Sequence, residues 1–215
     1  MSEIDLASIR KNYSKERLDE EDVGDDPIQF FNLWMSEAVD AKIPEPTAMS
    51  VSTVSKSGRP SSRILLLKGV ENGIFKFYSN YSSNKGQEIA QNPNVSLLFF
   101  WPELERQIRI DGLVEKLSRE ESTIYFHSRP RESQIGAHTS LQSSTLDSRE
   151  SLEKKYEEFL QKFANINPIP IPENWGGYGL VSDRIEFWQG RPSRLHDRIV
   201  FKKENSTWQK IRLSP

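Results

Sequence analysis

Between residues 48 and 116 apolar and polar side chains alternate in short runs, and this period constrains the fold more than any other feature of the chain. The runs 48–54, 63–68, 74–78, 95–101 and 107–116 have strand length, and Lys56-Ser57-Gly58, Glu71-Asn72-Gly73 and Asn92-Pro93-Asn94 separate them as turn signals. Antiparallel hairpins are the simplest wiring for strands so close in sequence. The tail returns to the same period at 179–182, 185–188, 199–203 and 208–213.

Helical spacing is confined to a few places. Asp26-Pro27 reads as an N-cap followed by a first-turn proline, and Ile28, Phe31, Met35 and Ala38 then recur on one face until Pro44. Shorter helices are expected at 83–91 and 119–126. A longer one spans 148–163, with Leu152, Tyr156, Phe159, Leu160 and Phe163 on its apolar face. Many short strands with a few peripheral helices predict an α+β fold built on an antiparallel barrel. Residues 1–25 are rich in charge with little to bury and predict a flexible arm, leaving 26–215 as a single domain.

Composition excludes several functions. Lys and Arg number 29 against 31 Asp and Glu, a formal net charge of -2, so no global positive field draws in nucleic acid or an anionic membrane. Any phosphate recognition has to be local. The absence of cysteine removes disulfides, thiolate metal sites and cysteine nucleophiles, and fits a cytoplasmic protein. No stretch is long and apolar enough for a leader or a membrane span. Three scattered histidines without carboxylates at ligand spacing predict no metal site.

Three constellations could carry chemistry. Ser82-Ser83-Asn84-Lys85 opens a predicted helix and offers hydroxyls, free N–H groups and a lysine to an anion, although the serine pair alone reads equally as an ordinary helix cap. Tyr125, Arg129 and Ser133 lie at roughly helical spacing, so a guanidinium and two hydroxyls can converge; alone they also describe a polar helix face. In Ile185-Glu186-Phe187-Trp188-Gln189-Gly190-Arg191-Pro192-Ser193-Arg194-Leu195-His196-Asp197-Arg198, strand alternation would put Arg194, His196 and Arg198 on one face, suited to an anionic ring or to a solvated edge. Arg63 and Lys68 differ in strand parity, so they serve one site only if the strand bends or if they meet different parts of the ligands. Gln107, Arg109 and Asp111 share one parity, with Ile108 and Ile110 facing the core.

The last of these stretches resembles, over its whole length, the signature of the pyridoxamine 5′-phosphate oxidase family. Arg63-Ile64-Leu65-Leu66-Leu67-Lys68, Phe77-Tyr78-Ser79-Asn80, Leu104-Glu105-Arg106-Gln107, the run from Tyr125 to Ala137, and Gln142-Ser143-Ser144 resemble that family's other motifs, in its order. The resemblance implies a split β-barrel homodimer with two FMN sites at the subunit interface. It also implies oxidation of pyridoxamine or pyridoxine 5′-phosphate by O2 to pyridoxal 5′-phosphate. Carried over residue by residue, it gives the flavin Arg63 through Lys68, Tyr78, Ser79, Asn84, Lys85, Gln107, Gln142, Ser143, Trp188 and Arg198. The substrate receives Lys68, Tyr125, Arg129, Ser133, Arg194, Leu195 and His196, with Arg10 and Tyr13 approaching from the arm; Arg194 and His196 are the expected catalytic pair. Asn84 stands where the family commonly has arginine. A non-catalytic flavin or pyridoxal-phosphate carrier would be expected to lack the Arg194/His196 pair or the Tyr125/Arg129/Ser133 clamp. A flavin reductase or haem-handling relative would have no use for the Arg-Leu-His-Asp-Arg ending.

Overall fold

A computed structural model gives the fold, with residues 5, 6 and 11–215 described. Among them the chain runs α1 (Pro27–Asp40), β1 (Ala48–Val54), β2 (Pro60–Leu66), β3 (Gly69–Glu71), β4 (Ile74–Asn80), α2 (Asn84–Gln91), β5 (Asn94–Trp101) and β6 (Arg106–Lys116). There follow α3 (Arg119–Ser128), α4 (Arg131–Thr139), α5 (Arg149–Phe163), β7 (Trp175–Gln189), β8 (Asp197–Glu204) and β9 (Thr207–Arg212). The strands form one sheet in the order β2-β1-β5-β6-β7-β4-β3, with β8 on β7 and β9 on β8. The α+β class expected from the periodicity is observed. The single strand β7 replaces the two expected at 179–182 and 185–188, and β3 and α4 were not expected.

The chain divides into two compact units. Of the described residues, one unit comprises those up to 49 together with 97–111 and 183–215, the other 50–96 and 112–182.

In the first unit α1 starts as its sequence dictates: the Asp26 carboxylate accepts the Ile28 amide at 2.8 Å, and Pro27 occupies the first turn, where a missing N–H costs nothing. Its buried stripe is Pro27, Phe30, Phe31, Trp34 and Ala38; Ile28 and Met35, expected on that stripe, are only half-buried. Phe30 and Trp34 meet Phe187 edge-on at 4.8 and 5.4 Å, and Phe31 meets Phe99 at 5.4 Å. The larger aromatic residues set the helix's rotation because they remove more apolar area from water. β8 pairs antiparallel with β7 from Arg184↔Lys202 to Gln189↔Asp197, and β9 closes a hairpin on β8.

Residues 11–25 have more to bury than their composition suggested. Leu18 and Val23 are both buried. The Glu105 carboxylate accepts the Ser14 and Lys15 amides at 2.8 and 3.1 Å, Asp197 accepts the Leu18 amide at 3.1 Å, and Arg212 pairs with Asp19 and Glu20. The acidic run that read as solvated is matched by basic residues of β9, far away in sequence.

In the second unit β4 pairs antiparallel with the first half of β7, from Ile74↔Val181 to Asn80↔Trp175, and β3 folds back on β4. Phe126, Ile135, Phe163, Ile169 and Trp175 form a buried cluster that fastens α3, α4 and α5. Of the face expected on α5 only Phe163 is buried; Tyr156 and Phe159 pack partly, and Leu160 is exposed. Among the described residues no helix is long and apolar enough to cross a membrane.

Candidate functional site

The second unit contains a cavity of about 460 Å³ whose lining includes Lys68, Tyr78, Tyr125, Arg129, Ser133 and Trp175. Arg129 and Lys68 supply its positive charge. The Arg129 Nη1 is buried and has no hydrogen-bond partner among the described residues. The guanidinium carbon lies 4.7 Å from the Trp175 ring centre, and burial lowers its pKa. An unpaired buried donor of this kind costs about 1–3 kcal/mol or more, a cost that an entering anion cancels. Tyr78 and Tyr125 stack at 3.7 Å and 14°, with Trp175 nearly parallel to Tyr125 at 6.3 Å. Burial raises the pKa of both tyrosines, so each phenol keeps its proton and can donate to an anion.

The three residues expected on one helix face do not share a helix. α3 ends at Ser128; Arg129 is extended, with ψ 151°, because the proline at position 130 crowds a helical predecessor, and α4 restarts at Arg131. Tyr125, Arg129 and Ser133 nevertheless line the same cavity. The kink turns the arginine inward.

A second cationic cluster surrounds the start of α2. Ser83 is the N-cap, accepting the Gly86 amide at 3.3 Å, so the cap reading is correct. The same hydroxyl is 2.9 Å from the Lys85 ammonium, which also donates to Gln142 Oε1 at 3.0 Å, while Ser79 Oγ donates to that oxygen at 3.2 Å. Lys85 is only 5% exposed, and burial, with the Arg63 charge second, pushes its pKa down to about 8. A buried ammonium beside a guanidinium suits a phosphate dianion. Asn84 is exposed on the first turn.

β2 ends at Leu66, so Lys68 lies beyond the strand and strict alternation does not reach it. Leu65, Leu66 and Lys68 line the cavity, whereas Arg63 is held at Val51, Thr53 and Ser61. The two cations therefore face different surroundings. Ile64 is exposed and Leu67 is in the core, so neither side chain lines the cavity. Ser143 is exposed at a left-handed φ of 72°.

In the first unit, Lys11, Tyr13, Arg191, Arg194 and His196 line a cavity of about 560 Å³. The expectation that Arg194, His196 and Arg198 alternate along a strand is overturned. Pro192–Arg194 forms a 3-10 turn with Ser193 and Arg194 at φ 57° and 62°, and β8 begins only at Asp197. Pro192 sets the turn, and two consecutive left-handed residues cannot belong to a ladder. His196 Nδ1 accepts the Arg191 amide at 3.1 Å, which places the proton of the neutral ring on Nε2. Burial, then the Arg194 charge, lowers its pKa. His196 lies 4.7 Å from the Trp188 ring and 5.9 Å from Tyr13. Gly190 makes room for Tyr13, since a Cβ there would come within 2.7 Å of its ring. Leu195 and Arg194 are exposed.

Arg198 donates through Nε and Nη2 to Glu186 at 2.9 and 2.8 Å, and that carboxylate, 2% exposed, also binds Arg184. Gln107 is half-buried on β6 on the same side as Arg109 and Asp111, with Ile108 and Ile110 in the core as their parity required. Arg10 lies outside the described residues. His127 and His138 bond backbone carbonyls of Ile169 and Pro170.

Sequence reasoning missed Trp175, Glu88 and Glu186. Trp175 precedes Gly176-Gly177, a pair whose missing side chains admit Tyr81 and Leu117, and that Trp-Gly-Gly run was the available signal. Nothing local marked the two glutamates, whose partners are set by strand pairing.

An antiparallel α+β fold carrying buried, under-neutralised cations beside stacked aromatic rings defines a class of protein built to hold flat, anionic ligands. Comparison with known proteins specifies which. The profile described as pyridoxamine 5′-phosphate oxidase matches residues 35–163, and that of the pyridoxine 5′-phosphate oxidase C-terminal dimerisation region matches 175–215. The pyridoxine/pyridoxamine 5′-phosphate oxidase of Leptospira biflexa is 56% identical over 98% of this chain and 99% of its own; that of Burkholderia mallei is 51% identical over 98% and 99%. Among solved structures, PhzG of Burkholderia lata, in complex with tetrahydrophenazine-1-carboxylic acid, superposes with a TM-score of 0.88 at 27% identity, covering 95% of this chain and 100% of that one. A pyridoxamine 5′-phosphate oxidase-related, FMN-binding protein of Nostoc punctiforme shares the fold, with a TM-score of 0.72 at 16% identity, covering 86% and 97%. These likenesses bear out the split-barrel class. The chain belongs to the pyridoxamine 5′-phosphate oxidase family.

Proposed function

We propose that this protein is a pyridoxine/pyridoxamine 5′-phosphate oxidase, a cytoplasmic homodimer that uses FMN and O2 to convert either substrate to pyridoxal 5′-phosphate. The observation that carries the reading is the buried, unpartnered Arg129 Nη1 in a cavity that also presents Lys68, Tyr125 and Ser133. That donor set matches a phosphate monoester attached to a flat ring; Arg63 and Lys85 do not line this cavity, although Ser79 and Gln142, which meet at the Lys85 cluster, do. Two separate anion sites are what a phosphorylated cofactor and a phosphorylated substrate require.

FMN fits the second cluster. Lys85 and Arg63, with Ser79 and Gln142, would hold its phosphate, and the lowered pKa of Lys85 reflects a burial cost that a dianion offsets. Tyr78, Gln107, Ser143, Trp188 and Arg198 are assigned to the rest of the flavin by family resemblance. When bound, FMN supplies the hydride acceptor and passes the electron pair to O2, giving H2O2.

The protein's own task is placement and charge. Lys68, Tyr125, Arg129 and Ser133 bind the substrate phosphate and so fix the ring, making the transfer effectively unimolecular. Family resemblance assigns His196 and Arg194 to the substrate; His196, with Nδ1 engaged by the Arg191 amide, has Nε2–H available as a donor, and Arg194 carries positive charge. The amine substrate leaves as an imine that water hydrolyses to the aldehyde and ammonia; the alcohol yields the aldehyde directly.

The test is peroxide release from the FMN-loaded protein. One H2O2 per pyridoxal 5′-phosphate is expected, dependent on pyridoxamine or pyridoxine 5′-phosphate and absent with the unphosphorylated vitamers at equal concentration. A flavin-loaded protein that releases no peroxide with either phosphate ester overturns the reading.

A further inference from the structure

The guanidinium of Arg63 is already engaged before any ligand arrives. Nη1 donates to Val51 O at 3.1 Å and Thr53 Oγ1 at 2.5 Å; Nη2 donates to Ser61 Oγ at 2.7 Å and to Glu88 Oε2 at 3.4 Å. All four terminal N–H bonds are thus occupied, leaving Nε as the remaining donor. Glu88 is the only acid in the set. It lies one helical turn after Lys85 on α2, and its Oε2 also accepts the hydroxyls of Thr53 and, at 2.7 Å, Ser61. Its carboxyl is held below the usual range: burial opposes this, but the two hydroxyls and Arg63 outweigh burial.

We propose that Glu88 is an affinity-determining residue of the FMN phosphate cradle, an internal carboxylate that occupies Arg63 and weakens phosphate binding. This rests on the reading that Arg63 and Lys85 receive the FMN phosphate. Glu88 has two effects of the same sign. It cancels one of the two positive charges that would attract a dianion, and it competes with phosphate oxygens for the Nη2 donor. Its own contact with Arg63 is the longest of the four, but it also orients the Thr53 and Ser61 hydroxyls that accept from Arg63; Glu88→Gln keeps a side-chain oxygen that can accept them. Removing the charge as Glu88→Gln therefore raises the potential of the cradle while keeping an acceptor for those hydroxyls and three neutral acceptors around the arginine.

The experiment is titration of the full-length apoprotein with FMN and, separately, with riboflavin, followed by flavin fluorescence, for wild type, Glu88→Gln, Glu88→Ala and Lys85→Ala. Thermal melts check that each variant is folded. Both Glu88 substitutions are expected to lower the FMN Kd about tenfold, the effect of one charge at short range in a partly buried site, and to leave riboflavin within about twofold. If one variant fails to fold, the other carries the test. An FMN Kd that is unchanged or raised in a folded Glu88 variant, or a shift shared equally by riboflavin, overturns the proposal. Lys85→Ala tests the reading beneath it: FMN affinity must fall while riboflavin affinity holds. If Lys85→Ala leaves FMN affinity intact, the phosphate assignment itself fails. If Lys85→Ala weakens FMN and the Glu88 variants do not tighten it, the assignment stands and only the role of Glu88 is lost.

Discussion

The arginines of the first unit and the arginine of the cavity in the second solve opposite problems. Around β7 and β8, Arg184 and Arg198 share the buried Glu186, while Arg191 and Arg212 share Asp197. Those cations are neutralised in place; Arg184, Arg191 and Arg212 serve as scaffold, and Arg198, assigned to the flavin by family resemblance, is paired as well. Arg129 is half-buried too, yet among the described residues it has aromatic neighbours and no acidic partner, and its buried Nη1 has no hydrogen-bond partner. Arg194 also has no acidic partner among the described residues, and it stands exposed on a left-handed turn. The number of basic residues therefore does not mark a ligand site. At the proposed substrate site the distinguishing feature is positive charge that the fold has left unpaired, whereas Arg63 of the proposed FMN cradle is paired with Glu88.

The strongest test of that contrast is Arg194→Ala. If the unpaired guanidinium stabilises charge on the reacting ring, turnover falls by about 10²–10³ while FMN content is unchanged, because nothing in the FMN assignment depends on it. Stopped-flow reduction of the bound flavin by pyridoxamine 5′-phosphate reads this directly. Full-speed reduction would reassign Arg194 to the surface.

Arg129→Ala comes next. Losing a charge-assisted contact to a phosphate should lower kcat/KM about 10²-fold, chiefly through KM, and leave the purified protein yellow. Because the substitution also removes an unsatisfied buried donor, the empty protein should lose little stability. A variant stripped of flavin would show that the cavity belongs to the cofactor and that the two anion sites have been exchanged.

A smaller effect is expected from Tyr13→Ala. The ring packs against Trp188 and His196 and fits over Gly190, so its loss should raise KM about fivefold, the worth of one aromatic contact, with kcat nearly kept. Tyr13 sits in a segment anchored through Glu105, Leu18 and Asp197, so a point substitution tests the ring more cleanly than deleting the arm. An unchanged KM would leave Tyr13 a structural residue only.

How much of this was legible in the sequence depended on the range of the interactions. β1 and the long β6, with Ile108 and Ile110 inward, follow from alternation alone, and α1 begins where Asp26-Pro27 said it would. The family's motifs named Lys68, Tyr125, Arg129 and Ser133, which line one cavity, but not Trp175 beside them. What failed was extrapolation of a regular period through residues that break it: the proline at 130 splits the helix expected to carry Tyr125 through Ser133, and Pro192 turns the chain where a strand was expected to carry Arg194 and His196. The pairing of charges was not legible. Glu88 meets Arg63 across 25 positions, and Arg212 meets Glu20 across 192, through contacts that only the folded sheet creates.

The smallest predicted effect separates the two kinds of cation by pH. Lys85 is buried without a carboxylate in contact, and its pKa in the empty protein lies at about 8, below the 10.5 of an exposed lysine. The unfolded chain therefore holds this proton over a range of pH in which the empty folded protein has released it. By linkage, Lys85 contributes a rise in the stability of the empty protein as pH climbs from 8 toward 10.5. FMN binding depends on the opposite form, since the dianion needs the ammonium. Above the second phosphate ionisation, near pH 6, FMN affinity should be flat to about pH 7 and then fall, by about fourfold between pH 7 and 8.5. Riboflavin affinity should show no such fall, and Lys85→Met should abolish it. The arginines paired with Glu186 and Asp197 cannot produce this slope, because they remain charged throughout. An FMN affinity that stays constant across that range in the wild-type protein would mean that the Lys85 ammonium is not the group that meets the phosphate.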